Sequence, residues 1–266
     1  MTRIVAIVSV LRDITGGALT GLVVGIVVLG IGGRIVMRLA TLLDPASVGQ
    51  LTENGNVIGD VTIEGTVALV FFGGILTGLA AAVIWIAIQA WIPGDRWARA
   101  VLSMPIAVAL TGFQLVRPEN SDFFILEPVA VVVALLLGLA AVAGFAFAIV
   151  FDGLDRGLPP VTERPTRMGI TYGILVVIGL VLVVPLSVQM FFVPGFAAEV
   201  VPIPSSIFIA AAGVVTLAAW VVRVASGDLV PPRPLRVLGS TMLALAVALG
   251  AWHLFGQIGQ VVSYGT

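Results

Sequence analysis

Arg34 and Arg38 stand four residues apart, so on a helix they share one face. A guanidinium is a planar fork that grips phosphate or carboxylate through two hydrogen bonds at once. The pair could therefore hold an anion or a lipid headgroup. Equally, both side chains could snorkel to lipid phosphates or pair with acids in the following loop. His253, Gln257 and Gln260 fall at steps of four and three, forming a polar stripe on an otherwise apolar helix. A membrane histidine can take up a proton near neutral pH, whereas glutamines in such a stripe commonly hydrogen-bond between helices. With Arg117 added, the candidate anion or headgroup site is Arg34, Arg38, Arg117, His253 and Gln257, and Gln114 and Gln189 fall in the same layer. The acids expected to balance the arginines are Glu53, Asp60, Glu64, Glu119 and Asp122.

Other chemistry is narrowed by what the chain lacks. There is no cysteine, and the 13 basic residues are all arginine, which removes thiolate sites, Schiff-base lysines and a P-loop lysine. A single histidine excludes a multi-histidine metal or haem site. No G-x-S-x-G, H-E-x-x-H or Walker pattern occurs. Glu53, Asn54, Asn56, Asp60 and Glu64 offer oxygen ligands, but their spacing is not that of an EF-hand and solvated turn residues explain them. Asp152-Gly153-x-Asp155-Arg156 resembles the opening of an acidic metal motif of membrane phosphotransferases. The later aspartates of that motif are missing, which leaves a helix-ending glycine among interfacial charges. No metal, cofactor or nucleic acid is expected.

The elements that must position these residues follow from composition. Of 266 residues, 59% are hydrophobic and 10% charged, against about 25% charged in a soluble domain. Apolar runs of about 20 residues are what a bilayer-spanning helix needs. They predict an all-α polytopic membrane bundle, one integral domain with seven spans near 15–42, 67–91, 98–116, 128–151, 168–192, 205–222 and 237–262. Residues 1–13 are expected as a short interfacial segment. Gly17, Gly21, Gly25 and Gly33, and in the second span Gly74, Gly78 and Ala82, form small-residue strips for close helix approach. Trp85 and Trp91 are expected at the membrane interface, and Pro105 and Pro185 mark weakened or kinked helices. Pro128 is placed at a first helical turn. Between the first two spans, Asp44 to Thr66 predicts a small hairpin or cap, with a turn at Asn54-Gly55 and alternation through Val61 and Ile63.

With seven spans and a cytoplasmic N-terminus, the inner side collects Arg3, Arg12, Arg96, Arg99, Arg156, Arg164, Arg167, Arg223, Arg233 and Arg236. The outer side receives Arg34, Arg38 and Arg117. Ten arginines against three satisfy the positive-inside rule, place the C-terminus outside, and predict a cell (plasma or inner) membrane protein. Every Asp and Glu falls in a loop or at a helix end, which weakens the case for a proton-coupled pump.

The strings Gly32-Gly33-Arg34-Ile35-Val36-Met37-Arg38, Thr52-Glu53-Asn54-Gly55-Asn56 and Gly65-Thr66, with the stretch Asn120 to Phe123, resemble a group of hypothetical multi-pass membrane proteins of high-GC bacteria. The resemblance reaches to about residue 150 and implies the same helical fold and an envelope location. That group carries no assigned activity, so the resemblance transfers no function and no site. The expected function is a non-enzymatic binding or accessory membrane protein, whose partners are the bilayer, an anionic lipid or another membrane protein. The alternatives are a small-solute or lipid transporter and a membrane-embedded transferase or hydrolase. The enzyme alternative needs His253 to meet Arg34 and Arg38.

Overall fold

The computed structural model describes residues 3–53, 55–161, 165–192, 204–228 and 230–263, with side chains at 182–192 and 204 excepted. Seven long helices make up almost all of it: α1 Arg3–Leu43, α2 Ile63–Trp91, α3 Arg96–Leu115, α4 Val129–Gly157, α5 Pro165–Phe192, α6 Pro204–Ser226 and α7 Arg233–Val262. Six of them, all but α5, are long and apolar enough over their described residues to cross a membrane. No named strand occurs among the described residues; Leu51 and Val57 form an isolated antiparallel bridge.

Residues 3–13 are not a separate segment. From Arg3 they run unbroken into the first span, giving α1 41 residues. At about 1.5 Å per residue such a helix is roughly 60 Å long, twice the hydrocarbon thickness. No proline lies between Arg3 and Leu43 to stop it. Pro105 sits inside α3 without ending it. Pro185 and Gln189 fall where side chains are not described, Asn54 and Arg164 lie outside the described residues, and Pro128 is the residue before α4 rather than its first turn.

Contacts between the helix ends show that the helices alternate in direction. Arg12 and Asp13 on α1 pair with Asp155 on α4 and Arg223 on α6, and Arg99 on α3 pairs with Asp152. Tyr172, near the start of α5, donates to the Pro159 carbonyl at 3.3 Å, and Gly239, near the start of α7, packs under the Trp91 ring. The other end carries the loops at 44–62 and 116–128.

Two glycine strips hold α1 against α2. A Cβ added to Gly74 would lie 2.8 Å from the Gly25 carbonyl oxygen, and one on Gly21 would lie 2.5 Å from that of Gly78. Only hydrogen fits there, so the backbones touch. Gly33 is outside this contact, since a Cβ added there would meet only Leu69, at 3.9 Å. Where the strips meet, both helices widen to π geometry, at Gly25–Gly32 and Leu69–Leu76. The Thr77 hydroxyl donates five residues back to the Phe72 carbonyl at 3.1 Å.

Trp85 and Trp91 face into the bundle and not outwards. They are 5% and 3% exposed, in the core that α2 builds with α3, α4, α6 and α7. Trp85 packs against Phe147 and Phe151. The Trp91 indole donates to the Thr216 hydroxyl at 2.9 Å and to its own Ala87 carbonyl at 3.0 Å. Burial of a whole indole is favourable once its N–H is satisfied, and Gly239 leaves the room for its ring.

Candidate functional site

The loop between α1 and α2 is a folded cap built from its own backbone. Gly49 and Ile58 amides donate to the Ile58 and Gln50 carbonyls at 3.0 and 2.8 Å, and Thr52 donates to Asn56 at 2.8 Å. Gly49, Gly55 and Gly59 take positive φ, where a side chain would be strained. The hairpin thus spans 49–58. The alternation through Val61 and Ile63 is not a strand: Ile63 opens α2, and Thr62 caps it by accepting from the Gly65 amide at 3.0 Å.

Three arginines lie at this end, each differently placed. Arg34 on α1 reaches across to the first turn of α2, where its Nε and Nη2 donate to the Thr66 hydroxyl at 3.2 and 3.1 Å and Nη2 meets the Thr62 carbonyl at 3.4 Å. One Arg117 nitrogen donates to both carboxylate oxygens of Glu53, at 3.1 and 3.0 Å, joining the hairpin to the loop after α3. Arg38 is exposed and has no partner among the described residues. Around it on α1, Ile35, Met37, Leu39 and Leu42 are exposed as well, an apolar surround that suits lipid.

The acids do not serve Arg34 and Arg38. Glu53 goes to Arg117. Asp122 accepts from the Glu53 amide at 2.7 Å, and its own amide donates to Asn120 Oδ1. Asp60, Glu64 and Glu119 are exposed. Arg34 meets the neutral Thr66 hydroxyl where the first turn of α2 lies beside α1. Asp44 and Glu127, which the spacing did not single out, tie the loops once more: the Glu127 amide donates to Asp44 Oδ2 at 3.1 Å.

His253 and Gln257 belong to a different contact. The His253 ring stands edge-on to Phe113, centroids 5.9 Å apart. With its amide nitrogen turned towards them, Gln257 donates to the Phe113 and Val116 carbonyls, both at 3.2 Å. These groups seal the end of α3, whose last carbonyls lack helical partners. Gln260 is exposed. His253 and Gln257 therefore face α3, whereas Arg34 faces α2.

At the opposite end is an ion-pair layer that local spacing did not reveal. Arg12 binds the Asp155 carboxylate and carbonyl and reaches the Leu158 carbonyl at 3.3 Å. Arg223 binds Asp13 at 2.7 Å, and Arg99 lies 3.6 Å from Asp152. The partners are up to 210 residues apart, so no periodic signal marks them. The Asp152–Arg156 run is thus part of a clamp over four helices, not merely a helix end. Among the described residues no group of three or more His, Asp or Glu is placed to hold a metal.

Comparison with protein families, with curated proteins and with solved structures gives no match to this chain.

Proposed function

We propose that this chain is a non-enzymatic binding or accessory protein of a bacterial plasma membrane. It would cross seven times with the N-terminus cytoplasmic, and Arg38 would engage an anionic headgroup or an extracytoplasmic partner at the outer leaflet. The observation that carries the proposal is the unequal use of the three cap-end arginines. Arg34 is taken up by Thr62 and Thr66 and Arg117 by Glu53, while Arg38 stays exposed among apolar side chains without a partner among the described residues. A cation at that depth gains most from a phosphate at the headgroup level. The orientation rests on the arginine bias between the two ends. The test is Arg38→Gln with native mass spectrometry after extraction: one fewer anionic lipid or partner should be retained, and unchanged retention would sink the idea.

A transporter is the second function with an observation behind it. The facing π stretches at Gly25–Gly32 and Leu69–Leu76 are of a kind frequent at functional sites. Solute flux in proteoliposomes that is lost on Gly74→Leu would favour it.

A further inference from the structure

We infer that the hairpin at 49–58 is a docking surface for an extended, basic segment of a partner protein, added as a strand along the Leu51 edge. Leu51 and Val57 stand opposite each other on the antiparallel bridge, so their side chains leave the hairpin on the same face. They are 60% and 44% exposed. The bonds that close the hairpin around them run from the Thr52 amide to the Asn56 carbonyl and from the Ile58 amide to the Gln50 carbonyl. In that pattern the amide and carbonyl of Leu51 point away from Val57, and neither has a hydrogen-bond partner among the described residues. An open strand edge is a template for another strand.

Lipid hydrocarbon does not cover this face. From Asp152, in the ion-pair layer, back to Val132, α4 rises about 30 Å, the thickness of the hydrocarbon. Ala40 packs in one cluster with Val132 and Val133, so the chain after Ala40 starts at the far boundary and the hairpin stands beyond it. The hairpin is held there by Arg117 and Asp122 at Glu53, and a Cβ on Gly59 would lie 3.5 Å from Thr41. Charge then selects the occupant. Residues 44–62 and 116–128 carry six acids, Asp44, Glu53, Asp60, Glu119, Asp122 and Glu127, against one arginine, Arg117, which is already paired with Glu53. Asp60 and Glu119 are exposed. A second copy would set this acidic surface against itself, and an anionic headgroup would be repelled. A strand in which basic and apolar residues alternate would meet both the acids and the Leu51–Val57 pair. Such docking rests on the bundle crossing a membrane, but neither on Arg38 nor on which side the cap faces.

The experiment is fluorescence anisotropy with the full chain in phosphatidylcholine nanodiscs and a labelled synthetic peptide that alternates lysine and valine. The peptide should bind these nanodiscs more tightly than empty ones, whereas its glutamate–valine and lysine–serine counterparts should not. L51T/V57T keeps strand-forming side chains and should weaken binding about tenfold through lost apolar burial. D60N/E119Q, which leaves the hairpin strands intact, should weaken it about threefold and flatten its salt dependence. Methylating the peptide's backbone amides should abolish binding, because strand addition needs them. Neither variant touches Arg38, so the outcome is independent of lipid retention in Arg38→Gln. Equal affinity for the lysine–valine and glutamate–valine peptides, unchanged affinity in either variant, or equal binding of the methylated peptide would overturn the proposal. So would a wild-type dimer that L51T/V57T dissociates, since the face would then belong to a second copy.

Discussion

Gly78 sits so close to α1 that a Cβ on it would fall 2.6 Å from the Cα of Gly25. No side-chain rotation can relieve such a clash, because the obstacle is backbone. Gly78→Ala must push α1 and α2 apart and should cost about 1–3 kcal/mol, as overpacking does. Gly138→Ala on α4, where a Cβ meets nothing within 4 Å, is the matched control. Thermal unfolding in detergent should show a lower midpoint for the first variant and no loss for the second.

Arg34 and Arg38 should separate by what they hold. Arg34→Gln removes the hydrogen bonds to Thr62 and Thr66 and should destabilise the cap by about 1–2 kcal/mol, with faster amide exchange at the hairpin. Thr66→Val should reproduce most of that effect. Arg38→Gln should leave both unfolding and exchange unchanged.

Arg223 and Asp13 form a pair whose side chains are 19% and 24% exposed. Removing one partner strands the other charge, which should cost about 1–3 kcal/mol after allowance for residual solvent. Asp13→Asn in the Arg223→Gln background should recover part of it. A double-mutant cycle by chemical denaturation measures the coupling, and additive costs would show that the pair contributes nothing.

Trp91→Phe keeps most of the buried ring and deletes the N–H that meets Thr216. The expected loss is about 1 kcal/mol, while Trp91→Ala should lose about 3–5 kcal/mol through the cavity left beside Gly239. Equal melting points for the wild type and Trp91→Ala would contradict the buried placement.

Glu53→Gln should change global stability by under about 1 kcal/mol, because the Arg117–Glu53 pair is solvent-accessible. Its effect should be local, seen as faster proteolysis within 49–58, where the hairpin has lost its tie to the loop after α3.

Much of the bundle was legible in the chain. Apolar runs of membrane length placed the helices after the first to within about six residues, since every backbone amide in hydrocarbon must be bonded inside its own helix, whereas α1 begins at Arg3, well before its expected start at residue 15. The glycine strips were readable too, because a four-residue period of small side chains leaves one smooth face. Trp85 and Trp91 show the limit. An indole near a helix end has the same local sequence whether it meets headgroups or a gap over Gly239, and only the neighbouring helices decide. The partner of Arg34 was likewise undetermined, since carboxylates and threonines lie at similar distances along the chain and only the start of α2 beside α1 chose Thr66.

By itself the sequence determined which segments leave water and how the arginines divide between the two ends, because transfer of apolar and charged groups depends on composition over a window of residues. The tertiary structure decided which charges are spent and which remain. Pairing requires contact within about 4 Å. Arg12, Arg34, Arg117 and Arg223 find that contact through residues distant in the chain, while Arg38 finds none among the described residues.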